Sequence, residues 1–320
     1  MKRCITVLLL CLGLCGALRA APVWPTKRIL VIVPYAAGST PDLIARLIFD
    51  QVGQSTGQPV IVENKPGAGG MIGADFVAKS TPDGSTLLLA PSGPLETDAL
   101  LYKKMTYDPV KDLAPVALVA ETPSVVVTSN AVSAPDARAL LRDMADASRK
   151  LAYASPGYGT LSHLSTAYLV ARSGGNVPHV AYPGSPQVVT GLIANDVQIA
   201  TLPPLAVAPF IRAGKIRAVA LVGTHRSDAL PDVATLREQG VDFDPVGWFG
   251  VAAPGGTPAP VLEAVHDAIS AALKNSALVQ AYRAQGLEVA DLGPDAFAAY
   301  IRKDLVQWRP VIEQNHISLD

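Results

Sequence analysis

The chain has 320 residues, of which 49% are hydrophobic and 17% charged. That is enough apolar material for two ordinary domains, and no long stretch is both polar and highly charged, which excludes a disordered chain. Basic (26) and acidic (27) residues nearly balance, leaving no basic surplus of the kind nucleic acid requires.

In chain order, Lys2 and Arg3 precede an apolar run over residues 5–15, and small residues follow up to Ala20 and Ala21. A charged start, a short apolar core and an Ala-rich end predict a secretory signal peptide over residues 1–21, cleaved near 17–21 and too short to span a bilayer. A lipoprotein reading is disfavoured, because Leu10 and Leu14 stand before Cys11 and Cys15 where a small residue is needed. Cys4, Cys11 and Cys15 are the only cysteines, so the exported product is expected to lack disulfides, thiolate metal sites and cysteine nucleophiles. Without the leader, 23 basic residues face 27 acidic ones, a net charge of −4. No later apolar run is long enough for a membrane span. A soluble, periplasmic protein is expected.

Residues 28–33 form a continuous apolar run, the mark of a strand buried on both faces of a parallel sheet. The run breaks at Pro34, and a helix is predicted from Thr40 as N-cap with Pro41 at its first position. Strand 60–62, a Gly-rich turn at 66–70, a helix to about 79 and strand 86–90 continue the alternation. Two further apolar runs, 114–120 and 124–128, are separated by Thr122 and Pro123. The alternation then restarts. Helices at 135–147, from 161, at 186–194 and at 205–213 are interleaved with strands at 151–154, 177–181, 197–200 and 216–222. The tail adds strand 247–252 and helices at 258–273, 277–285 and 294–313. We read this as an α/β chain of two domains, each a mostly parallel sheet flanked by helices. Residues 22–121 plus 231–320 form a discontinuous first domain, and 122–230 form an inserted second one. An insertion makes the chain cross twice, and two crossings make a hinge.

Three loops share one plan of apolar strand, small-residue turn and helix start. The first contains Tyr35, Ala36, Ala37, Gly38, Ser39 and Thr40; the second Ser155, Gly157, Tyr158, Gly159 and Thr160; the third Tyr182, Gly184 and Ser185. Ligands of open α/β sheets sit where such loops converge at the carboxyl ends of strands. Helix N-termini there offer unpaired N–H groups and partial positive charge, so an anion is expected without any Lys or Arg in the loops. Asp42 suits either a helix dipole or a ligand contact, and His163 either a satisfied core position or a ligand contact. Gly157 and Gly159 lack a third glycine at dinucleotide spacing, where Ser162 stands. No HExxH, paired His at metal spacing or GxSxG occurs, and the neighbours Ser162 and His163 do not make a catalytic pair. Neither catalysis, nor a metal, nor a cofactor is expected.

The run from Val31 to Gly38 followed by Asp42, and the run Glu63-Asn64-Lys65-Pro66-Gly67-Ala68-Gly69-Gly70, resemble the substrate-binding proteins of tripartite tricarboxylate transporters, the Bug receptors. Further matches run along the mature chain: Tyr107-Asp108-Pro109, Tyr153-Ala154-Ser155, Gly159-Thr160 with Ser162-His163-Leu164, Tyr182 with Gly184-Ser185, and Trp248-Phe249-Gly250. The resemblance implies a type II periplasmic-binding-protein fold that closes on a small carboxylate: an organic acid, an aromatic acid or an acidic amino acid. It also implies delivery to the large and small integral membrane subunits of a transporter. A monomer is expected, and docking on a membrane sensor kinase is the alternative role. Carried over by position, the ligand wall comprises the three loops with Asp42, Ser92, His163 and Thr201. The chain departs from the family pattern at Pro41, which removes a donor, at Pro183 in place of a Lys, and at Thr201 and Ala167 in place of acidic or amide residues. Those losses point to a less polar ligand, such as an aromatic or branched monocarboxylate.

Overall fold

The computed structural model describes residues 24–182, 184–314 and 317–319, so the expected leader and its cysteines lie outside the described residues. Eleven strands are described: β1 (Ile29–Val33), β2 (Val60–Asn64), β3 (Thr86–Pro91), β4 (Leu113–Thr122), β5 (Ser124–Thr128), β6 (Tyr153–Ser155), β7 (His179–Ala181), β8 (Ile199–Leu202), β9 (Arg217–Val222), β10 (Gly247–Pro254) and β11 (Glu288–Leu292). The α-helices are α1 (Thr40–Thr56), α2 (Met71–Ala78), α3 (Asp98–Leu101), α4 (Ala137–Ala145), α5 (Leu161–Ser173), α6 (Ser185–Ala194), α7 (Pro204–Arg212), α8 (Ala259–Leu273), α9 (Ser276–Ala284) and α10 (Pro294–Gln314).

The strands make two sheets, ordered β11-β4-β10-β3-β1-β2 and β7-β6-β8-β5-β9. The expected two-unit α/β layout is present, but the sheets are mixed rather than mostly parallel. β1 pairs in parallel with β2 and β3, and β6 with β7 and β8. The pairs made by β4, β5 and β10 are antiparallel. The reason lies at residues 113–128. Parallel neighbours need a crossover helix to bring the chain back. Here β4 runs into β5 through Pro123 alone, straight from one sheet to the other.

β1 is buried at every position but the half-buried Leu30, because helices cover both faces of its sheet. α1 buries Ile44, Ala45, Ile48, Phe49 and Val52 at helical spacing, and ends where Gly57 turns left-handed and donates to the Gly53 carbonyl. Its N-cap is Ser39, one residue before the expected Thr40, and makes no side-chain capping bond.

Chain ends and packing do not follow a simple insertion. Leu236, Val241 and Phe243 join the core cluster of the second sheet with Leu140, Leu164 and Ile199, although the sequence reading places 231–320 in the first domain. α10 belongs to both units. Its Phe297 and Ile301 pack with Ile32, Leu88 and Trp248 of the first sheet, and its Trp308, Val311 and Ile312 with the second cluster. Each such side chain contributes roughly 1.5–3 kcal/mol by leaving water, so α10 is anchored at both ends. Beyond it, the Leu319 amide donates to the Leu101 carbonyl at 3.0 Å.

Candidate ligand-binding site

Because β1 and β3 run in parallel, the loops after Val33 and Pro91 leave the same edge of the first sheet. The loop after Ser155, in the second unit, lies against Leu101 of α3 and Leu319: a Cβ on Gly159 would lie 3.0 Å from a methyl of Leu101 and 2.9 Å from one of Leu319. The second loop thus touches α3, the helix that follows the Ser92 turn.

In the first loop, Ala36, Ala37, Gly38 and Thr40 are exposed, while Ser39 is half-buried with an Oγ that has no partner among the described residues. The loop is held from behind. Asp42 is buried and accepts from the Gly38 amide (2.9 Å), Asn64 Nδ2 (2.9 Å) and Arg46 Nε (3.1 Å). Asn64 also donates to the Tyr35 carbonyl at 3.0 Å, and the Tyr35 hydroxyl donates to the Gly69 carbonyl at 2.8 Å. Burial acts to raise the Asp42 pKa, but bonds from Arg46, Gly38 and Asn64 outweigh it and hold the carboxyl below its ordinary range. Both oxygens of Asp42 are engaged, so it shapes the loop rather than offering itself to a ligand. Gly38 has φ +80°, which a side chain would strain.

The second loop is also closed by its own side chains. Ser155 Oγ accepts from the Gly157 amide (3.2 Å), donates to the Gly157 carbonyl (2.7 Å) and lies 2.8 Å from His179 Nε2. The Gly159 amide donates to His163 Nδ1 at 3.1 Å, while Thr160 Oγ1 donates to the Gly157 carbonyl and caps α5 by accepting from the His163 amide. His163 stacks on His179 with ring centres 4.0 Å apart, and Tyr158, 59% exposed, sets its ring edge-on to both. Burial, and then the neighbouring imidazole, depress His163 to about 3, and burial depresses His179 to about 4. Both rings are neutral at pH 7. The wall carries no imidazolium.

The glycine amides of these two loops are not bare. The amides of Gly38, Gly157 and Gly159 are each taken by a side chain of their own unit. Donors for an anion are left to the first turns of α1 and α5 and to Ser39. Two expectations change. Thr201 is fully buried in β8, where its Oγ1 accepts from Thr166 at 2.9 Å, leaving it no open face. The Tyr182 ring packs into the second unit's own core, so close over Gly191 that a Cβ there would lie 2.7 Å from its hydroxyl. Gly184 caps α6 in extended geometry and Ser185 begins that helix, both half-buried. Ser92 is half-buried at the head of a widened helical turn, Gly93–Thr97, directly after β3. Sequence reasoning gave no role to Asn64, Arg46 or His179, although Asn64 lies within the Glu63–Gly70 run that carried the resemblance.

Residues 44–317 match the family described as the tripartite tricarboxylate transporter family receptor. The chain belongs to that receptor family. It is 35% identical over 310 residues to the protein BugT of Bordetella pertussis, covering 94% of each chain. Among solved structures, an R. palustris protein with adipate superposes with a TM-score of 0.77 at 28% identity, over 92% of this chain and 99% of that one. MatC from Rhodopseudomonas palustris with bound malate gives 0.74 at 29%, over 90% and 100%. The receptor's neighbours are periplasmic binding proteins, and among its described residues no helix is long and apolar enough to cross a membrane. No group of three metal-binding side chains occurs among them either.

Proposed function

We propose that this receptor is an exported, periplasmic protein that captures a small carboxylate between its two units by hinge closure and delivers it to a membrane transporter. The observation that supports the reading is a strand-end loop in each unit, stiffened from behind by its own side chains. Such loops enter binding already shaped, which limits the ordering cost of capture. Contacts made from both units at once stabilise the closed state. The adipate and malate held by two structural neighbours support a carboxylate as the ligand class. Binding without chemistry fits a site whose hydroxyls and imidazoles are committed to loop structure.

Thermal denaturation against a panel of carboxylates tests this. A ligand at a hundred times its Kd adds about 2.7 kcal/mol, worth several degrees in a chain of this size. A panel of di-, tri- and aromatic acids that leaves the midpoint unmoved contradicts the reading. Delivery is tested separately by pull-down from membranes. Transporter subunits recovered with the liganded form support transport, and a sensor kinase recovered instead supports the sensory alternative.

A further inference from the structure

Three passages connect the units: Pro123, the segment ahead of β10, and α10. An acid pair lies where the last of these meets the turn after β3. Glu96, within Gly93–Thr97, is fully buried, and neither of its carboxyl oxygens meets a nitrogen or hydroxyl donor among the described residues. Its turn packs against α10, and the group there that bears on it electrostatically is another acid, Asp304. Asp304 is buried too, but it is supplied with a donor. The Trp248 indole N–H reaches it at 2.8 Å.

Two carboxylates stripped of water and in contact do not both stay charged. At about 4 Å their repulsion alone is on the order of 4 kcal/mol even at an effective dielectric constant of 20, before desolvation is counted. One hydrogen between them removes the conflict and supplies the missing bond. The Trp248 donor favours charge on Asp304, so the hydrogen resides on Glu96.

We infer that Glu96 is a positioning residue which, as a neutral acid donating to the Asp304 carboxylate, pins the Ser92–Thr97 segment to the helix shared by both units. The surroundings agree. From α10, Tyr300 and Lys303 face the pair, and Lys303 favours the ionised Asp304. From β4 comes Glu121, which accepts from the Tyr300 hydroxyl at 3.3 Å. Glu121 stands opposite Glu288 of β11, whose carboxylate lies 2.8 Å from His225. Asp98 follows in α3. Burial and the Asp304 charge both favour the neutral form of Glu96.

The same segment leads into Leu101, which lies against Gly159 of the second loop. A shift of α10 on closure is therefore transmitted to the cleft-side end of β3. That consequence for capture rests on the hinge reading above, whereas the shared hydrogen is read without any ligand.

The test is carbon-13 NMR of the ligand-free protein labelled at glutamate carboxyls, with Glu96 assigned by its loss in E96Q. We expect a protonated-acid resonance at pH 7, and backbone amides of Ser92 and Gly93 that shift in step with its titration at higher pH. E96Q, whose amide still donates to Asp304, should keep those amide positions and abolish their pH response; E96A should displace them at every pH. D304N, which removes the facing charge, should lower the pH at which Glu96 titrates, and reports on the pair even where E96Q fails to fold. An ionised Glu96 at pH 7, an unchanged titration in D304N, or a pH response of Ser92 and Gly93 that persists in E96Q overturns the inference.

Discussion

The Gly159 amide donates to Nδ1 of His163, 3.1 Å away, and this bond ties the tip of the second loop to the first turn of α5. It also fixes the tautomer. An Nδ1 that accepts carries no hydrogen, so the ring is neutral with its hydrogen on Nε2.

His163→Ala is expected to leave the Gly159 amide without its partner and the His179 ring without its stacking neighbour. The amide is half-buried, so the cost lies towards the lower end of the roughly 1–3 kcal/mol of an orphaned buried donor. Urea denaturation should show a loss of that order with the fold retained. Titration with the best carboxylate of the panel should show weaker binding, because the loop is no longer held in shape.

The depressed histidines also set a pH dependence. Between pH 6.5 and about 3 for His163, or about 4 for His179, the unfolded chain binds protons that the folded chain refuses. Stability from this source is complete above 6.5 and is lost as pH falls through that window. Asp98 acts in the opposite direction. Burial raises it from 3.8 to about 7, so the folded chain holds a proton the unfolded chain has released, and stability falls as pH rises from 3.8 to 7. Asp98→Asn should therefore gain stability relative to the parent at pH 8 and gain nothing at pH 3, measured by denaturation at both.

Asp42→Ala removes the one acceptor shared by Gly38, Asn64 and Arg46. The protein should stay folded, because α1 keeps its buried face, but the first loop should lose its shape. Ligand affinity is expected to fall about tenfold or more, equivalent to about 1.4 kcal/mol. Unchanged affinity in calorimetry removes Asp42 from any role in binding.

Gly250→Ala probes the seat of α10. A Cβ at Gly250 would collide with the Phe297 ring, which is fully buried against β10. Overpacking of this kind costs typically 1–3 kcal/mol, and the midpoint of thermal unfolding should drop by several degrees.

Much of the fold was legible because buried strands write themselves as continuous apolar runs. The run at 28–33 became β1, and most helices begin within a residue or two of their expected starts. β11 escaped notice because Glu288–Leu292 alternates half-buried and exposed residues at a sheet edge. Antiparallel pairing of β4 and β10 was hidden because apolar runs look alike in either direction. At the site, the loops were legible as small-residue turns. What occupies their amides was not. Asp42 reaches Gly38 only because a helix turn places it there, and His179 meets Ser155 only through the register of β6 with β7. Nothing in the sequence distinguishes Glu96, whose importance depends wholly on its burial against α10.

A preference among carboxylates is expected from the second loop. Its glycine amides are spent, its histidines are uncharged, and rings of Tyr158, His163 and His179 cluster beside it. A second carboxylate finds little there to replace its water. Aromatic or branched monocarboxylates are expected to raise the unfolding midpoint more than citrate or malate at equal concentration; the reverse order contradicts this assignment.

Small-angle scattering of the protein with and without the tightest-binding acid addresses capture by closure most directly. The radius of gyration should fall on binding, as the two loops come together around the ligand and α10 bends between its anchored ends. Saturated binding with an unchanged radius of gyration would contradict closure as the way this receptor holds its ligand.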